Sequence, residues 1–305
     1  MKWQGRDRSS NIEDRRGQGG GLGGGFQPGG LGSNPFGTGG RMRIPVGRSG
    51  GMGGIGLLIV VAIIMFALGI NPLTLLTGSG TGSSFDRSSL PPSSAGEDQL
   101  AEFVGVMVKD TETYWTTYFR AQGETYRAPK VVLFTGQTDS GCGVADRASG
   151  PFYCPNDQKV YVDLAFYDQL RNQFGAGGDF AQAYVIAHEV AHHVQNLIGV
   201  LPEFNQNRQS MSQEEANHES VKVELQADCF AGAWGKGEFE AGFLDSGDLD
   251  EAINAARQIG DDRLTGGRIP SSQFTHGTSE QRSTWFKRGY TTGDPAQCNT
   301  FDGSV

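Results

Sequence analysis

No Asp, Glu, Lys or Arg occurs between Arg48 and Asp86. So long an uncharged gap does not suit the solvated surface of a folded domain, and within it Ile55 to Ile70 reads IGLLIVVAIIMFALGI. Neighbouring glycines extend this run to about the 20 apolar residues that a bilayer requires, so residues 51–76 are expected to be a transmembrane signal anchor. A cleaved secretory signal fits less well, because a hydrophilic stretch of fifty residues precedes the run and no A-x-A-like site follows it. Internal repeats are also missing, which sets aside solenoids and propellers. There is no C-x-x-C pair to frame a cysteine-rich structural metal site. Nor is there a basic excess where a folded domain would need one to grip phosphates. Residues 1–50 hold eight Lys or Arg against three acids, a balance of +5, which leaves −14 for the rest of a chain whose total is −9. Nucleic acid is therefore excluded as a partner.

The Arg-rich front then has a membrane-orienting role. The positive-inside rule puts residues 1–50 in the cytoplasm and the folded domain outside the cytoplasmic (inner) membrane, in the periplasm or at the cell surface. Much of the chain's glycine, 47 residues in all, crowds the first 85 positions. Residues 1–50 are accordingly expected to be a disordered arm, residues 77–96 a flexible Gly/Ser/Thr/Pro linker, and residues 97–305 the domain. Four cysteines suit an oxidising compartment. Of the three possible pairings the favoured one joins Cys142 to Cys154, which bracket a Gly/Ala/Ser/Pro loop, and Cys229 to Cys298.

Periodicity predicts an opening amphipathic helix through Leu100, Phe103, Val104, Met107, Val108, Thr111 and Trp115. Lys130 to Thr135 and Lys159 to Leu164 read as strands, with a long loop between them. Phe180 to Ile198 reads as a helix stopped by Gly199, with Pro202 just beyond. Ser212 and Glu215 have capping-box spacing at the head of a second long helix that reaches about Trp234, before Gly235 and Gly237. A shorter helix covers Leu249 to Ile259. The fold class is α+β, mostly helical with a small sheet.

His188-Glu189-Val190-Ala191-His192 is H-E-x-x-H inside the firmest helix. Its i, i+4 spacing puts two imidazoles on one face, within reach of a single Zn²⁺, and leaves Glu189 beside the metal's water as general base. Apolar neighbours bury this helix, and buried imidazoles need partners. The extended form with a third histidine fails, because Gln195 stands where it needs Gly and Ile198 where it needs His. Another helix must supply the third ligand. Glu224 is the favoured candidate, since the E-x-x-x-D spacing to Asp228 lets one carboxylate bind metal while the other orients a liganding histidine. His218, among Glu214, Glu215, Asn217 and Glu219, is the rival. His193, on a different face, reads as a core or supporting polar residue.

These residues, with E-L-Q-A-D-C-F-A-G (Glu224 to Gly232), G-P-F-Y-C-P (Gly150 to Pro155), T-H-G-T-S-E-Q-R (Thr275 to Arg282) and the opening MKWQGRDRSSNIEDRRG, resemble the neutral zinc metallopeptidase family of bacterial membrane-anchored proteins, the YpfJ-like group. The pattern is also similar to gluzincins. The resemblance implies a zincin-like domain with Glu224 as ligand and Asp228 behind it. It further implies that His276 stabilises the oxyanion, supported by Arg282; from the residues alone, His276 reads equally as an exposed loop histidine. By analogy, Val160 to Asp163 is the edge strand that pairs with substrate. Zinc-dependent hydrolysis of a peptide or protein is the leading reading, with a catalytically silent, membrane-tethered scaffold as the alternative and an amidase acting on cell-wall peptides as a third.

Overall fold

The computed structural model describes residues 1–17, 95–146, 149–303 and 305. Its elements in chain order are β1 (Ile12–Asp14), α1 (Ala95–Ala121), β2 (Lys130–Phe134), β3 (Gln137–Ser140), β4 (Gly143–Asp146), β5 (Phe152–Cys154), β6 (Lys159–Asp163), α2 (Phe166–Asn172), α3 (Asp179–Leu197), α4 (Val200–Asn207), α5 (Gln213–Glu240), α6 (Asp248–Gln258), α7 (Asp261–Leu264) and α8 (Ser279–Thr292). The class is α+β, as expected. The residues expected to span a membrane, 51–76, and the linker over 77–94 lie outside the described residues. Among the described residues no helix is long and apolar enough to cross a membrane.

The strands form one sheet in the order β1-β2-β6-β5, with only the β5–β6 pair antiparallel, and β3 and β4 make a separate hairpin. Alternation along β2 and β6 sorts their side chains between two faces. Val131, Leu133, Val160 and Val162 join the core with the helices. Val132, Phe134 and Tyr161 face the other way, against Ala145 of the hairpin and Cys154. The stretch expected to be a loop is therefore β3, β4 and β5, held together by the Cys142–Cys154 disulfide. The second disulfide joins Cys229 to Cys298, so both favoured pairings are present. The edge-strand expectation for Val160 to Asp163 is corrected: β6 lies between β2 and β5, and β5 is the outer strand.

α3 passes through the middle of the core, with Phe180, Ala183, Tyr184, Ala187, Val190 and Ala191 all buried. α5 and α6 pack against it, and α8 packs against α5. α5 and α8 approach so closely that a Cβ on Gly232 would collide with the Phe286 carbonyl, and one on Gly289 with the Cys229 carbonyl. The expected stop at Gly235 and Gly237 does not occur, and α5 runs on to Glu240. These glycines serve packing: a Cβ would lie 3.2 Å from the Phe180 ring at Gly235 and 3.0 Å from the Tyr114 ring at Gly237. Ser212 does cap α5, sharing a capping box with Glu215. Gly199 ends α3 in the left-handed conformation that a β-carbon disfavours (φ 91°). Pro202 sits in the first turn of α4, where its missing N–H costs no helical bond.

Residues 1–17 depart most from expectation. They are an ordered part of the domain, so the disordered arm predicted over residues 1–50 is corrected for this portion. Trp3 is buried edge-on against Phe103, with ring centroids 5.4 Å apart. The Ser9 N–H donates to the Gly105 carbonyl, and β1 pairs in parallel with β2, with Ile12 opposite Val131. Arg6 lies 3.4 Å over the Phe243 ring and donates to Asp110 at 2.6 Å and to Glu238 at 3.5 Å. A strand of three residues with one buried tryptophan leaves no periodic signature, and partners more than ninety residues away in sequence supply its stability.

Asp110 and Glu238 are both buried around this single guanidinium. Burial, followed by the charge of Glu238, raises the pKa of Asp110 despite Arg6, and burial raises that of Glu238 as well. Folding thus takes up a proton. The resulting stabilisation is full below the unfolded carboxylate pKa of about 3.9 and is lost as pH rises through the elevated folded values. Asp110→Asn should therefore flatten the fall in melting temperature between weakly acidic and weakly alkaline pH. Wild-type and variant curves that stay parallel would show that this pair does not hold the proton.

Candidate metal centre

His188 and His192 sit one turn apart on α3, with ring centroids 4.7 Å apart and planes at 86°. Glu224 reaches them from α5, which crosses the same face. His188 Nε2 lies 3.2 Å from Glu224 Oε2, and His192 Nε2 lies 3.5 Å from Glu224 Oε1. One donor atom from each of the three residues falls within 4.8 Å of the other two.

Each histidine uses its other nitrogen elsewhere. His188 Nδ1 meets Asp228 Oδ1 at 2.9 Å, and His192 Nδ1 meets Gln195 Oε1 at 2.8 Å. With both Nδ1 protons donated outward, two Nε2 lone pairs converge on a carboxylate. Lone pairs and an anion repel one another unless a cation or proton lies between them, so this donor set fits Zn²⁺, which takes imidazole nitrogen and carboxylate oxygen. Without a metal, a proton takes the place of that cation on His188 and not on His192. Burial opposes charge on His188, but Asp228 and Glu224 outweigh it and hold the pKa up to about 9. Burial pushes His192 down to about 4, leaving that imidazole neutral and able to ligate. Burial also works against the charge on Glu224, yet His192, His188 and His276 keep it ionised, well below the usual carboxylate range.

Asp228 is fully buried and, besides His188, is held by three further donors. Arg282 forks onto it, Nε to Oδ2 at 2.9 Å and Nη2 to Oδ1 at 3.0 Å, and the Tyr184 hydroxyl donates to Oδ1 at 2.5 Å. Arg282 comes from α8 and is itself buried, also donating to the Ile259 carbonyl at 3.2 Å. Its expected place beside His276 is thus revised: it fixes the carboxylate that orients His188. Glu189 faces the same pocket. Burial raises its pKa to about 7, partly offset by His188 and by the nearby Tyr153 backbone of β5.

His276 lies in the loop before α8. Its Nδ1 is 3.1 Å from Asp261 Oδ1, while Asp261 Oδ2 accepts the backbone N–H groups of Thr275, His276 and Gly277 at 2.7, 2.7 and 3.1 Å. This bracing, with Gly277 at φ 87°, holds the ring within electrostatic reach of Glu224. The other two histidines lie elsewhere. His218 is 57% exposed in its side chain and pairs with Glu219. His193 is buried, bonded to the Tyr153 hydroxyl and the Arg127 carbonyl. A second acidic group among the described residues, Asp179, Asp248 and Glu251, contains no histidine. The Met1 amino group sits there, 2.8 Å from Asp179 and 3.2 Å from Asp248.

Sequence reasoning missed Tyr184, Gln195, Gln226 and Asp261. Tyr184 was open to discovery, being one turn before His188 on the same face of α3. Asp261 carried no signal, because only the folded loop brings it under His276.

Comparison with known proteins is consistent with this chemistry. The sequence matches the family described as "Putative neutral zinc metallopeptidase" over residues 1–301. The chain belongs to this family. "Uncharacterized protein YpfJ" of Escherichia coli is 47% identical over 308 aligned residues that span the whole of both chains. "Uncharacterized protein Rv2575" of Mycobacterium tuberculosis is 44% identical over 195 residues, 59% of this chain and 64% of that protein. No solved structure matches. The family match includes residues 1–17, of which Ile12–Asp14 form strand β1 of the sheet.

Proposed function

We propose that this chain is a zinc-dependent peptidase of zincin-like design, with His188, His192 and Glu224 as ligands and Glu189 as general base. The observation that carries the proposal is the convergence of two Nε2 atoms and one carboxylate beside a buried glutamate that is not needed as a ligand. A purely structural metal site has no use for such a base.

Zinc held there would lower the pKa of its water toward neutrality and polarise the substrate carbonyl. Glu189, desolvated and with its pKa near 7, takes the proton of the attacking water and delivers it to the leaving amine. His276, with Nδ1 tied to Asp261, is left with Nε2 to donate to the developing oxyanion. Asp228, clamped by Arg282 and Tyr184, keeps His188 in the ligating tautomer. The edge strand β5, which packs against α3 near Glu189, takes the role first assigned to β6 and offers backbone pairing to an extended peptide.

For location, the two disulfides support an oxidising, extracytoplasmic compartment. Because β1 and β2 share one sheet, residues 1–17 belong on the same side as the catalytic domain. We therefore read any membrane attachment through residues 51–76 as leaving both flanks on one face, in place of the expected cytoplasmic location of residues 1–50.

Two experiments test these readings. The purified chain should hold about one zinc per molecule, and Glu189→Gln should retain the metal while losing cleavage of a peptide library; undiminished cleavage by that variant rules the mechanism out. For location, Asp7→Cys and Glu203→Cys place thiols at exposed positions in the two segments. A membrane-impermeant maleimide applied to intact protoplasts should label both, and labelling of one alone contradicts the shared compartment.

A further inference from the structure

The two histidine ligands are held by different devices. His188 is oriented by a carboxylate, His192 by a neutral amide. Gln195, fully buried, accepts from His192 Nδ1 at 2.8 Å and donates through Nε2 to the Val223 carbonyl at 2.7 Å and to Gln226 Oε1 at 3.0 Å. Gln226, also buried, donates in turn to the Cys298 carbonyl at 3.2 Å. Cys298 is bonded to Cys229, which stands beside Asp228 on α5.

The series has a direction. Each amide accepts with its oxygen and donates with its nitrogen, and the series ends on a backbone carbonyl, which can only accept. Turning the Gln195 amide over would set its oxygen against the Val223 carbonyl and the Gln226 oxygen in the buried core, losing two hydrogen bonds at once. His192 is thereby required to carry its proton on Nδ1 and to present the Nε2 lone pair toward Glu224. At the far end, the disulfide ties the last acceptor to the helix that carries Gln226, Glu224 and Asp228.

We propose that Gln195 and Gln226 are positioning residues that transmit the restraint of the Cys229–Cys298 disulfide to His192, so that the zinc affinity of the site depends on this disulfide being formed. Before oxidation the chain binds zinc weakly, and metal loading follows disulfide formation. The inference rests on the proposed ligand set of His188, His192 and Glu224.

The test is zinc affinity of the full chain, measured by competition with a chromophoric chelator. Gln195→Met should weaken zinc binding by about 10–100-fold. Replacing Cys229 and Cys298 together by Ala should weaken it in the wild-type background but add little to Gln195→Met, because residues in one network are non-additive. Gln226→Leu, further from the ligands, provides the same comparison if Gln195→Met does not fold. A readout without metal is the imidazole ¹⁵N spectrum of His192, which should show the Nδ1–H tautomer in the wild type and a mixture in Gln195→Met. Independent, additive effects overturn the proposal. So does equal weakening when Cys142 and Cys154 are replaced instead, which would reveal general loosening. A wild-type chain that binds no zinc overturns the ligand set and this inference together, whereas normal wild-type binding with an unaffected Gln195→Met overturns this inference alone.

Discussion

The structure turns on a problem of buried charge. Glu189, Glu224 and Asp228 are carried by two crossing helices and face one another across a space lined by two imidazoles. Unpaired, such groups would be costly to bury. Arg282 balances Asp228, and the convergent Nε2 atoms with Glu224 call for one further cation. The surrounding architecture meets that requirement: glycines at the α5–α8 crossing let the backbones approach closely enough for Arg282 to reach α5, and α3 is apolar on its remaining faces.

The motif on α3 was legible because helical geometry alone converts an i, i+4 spacing into neighbouring side chains. Glu224 and Asp228 were legible for the same reason, since a single buried helix sets their separation. The strands at Lys130 and Lys159 and the Cys142–Cys154 pairing also came from local pattern, and Cys229–Cys298 was the pair then left over. What escaped was whatever depends on distant segments meeting. Asp261 has meaning only once the loop before α8 folds over it. Gln195 registered in the sequence only as a mismatch to a longer motif, although it lies three residues beyond the histidine it orients.

Residues 1–17 mark the clearest limit of composition. Charge and polarity there resemble a solvated tail, but Arg6 finds two buried acids and Trp3 finds Phe103. A parallel strand pairing with β2 then joins the segment to the domain that carries the candidate metal centre. Glycine content pointed to a domain from residue 97, and a helix runs over Ala95–Ala121, but composition said nothing of a strand contributed from before the glycine-rich run.

The account stands or falls on the metal. X-ray absorption at the zinc edge of the full-length protein reads the ligand set directly, without reference to activity. It should show two imidazole nitrogens at about 2.0–2.1 Å with oxygen donors completing the shell. Sulfur scattering at about 2.3 Å, or a shell with fewer than two imidazoles, would contradict a site built from His188, His192 and Glu224.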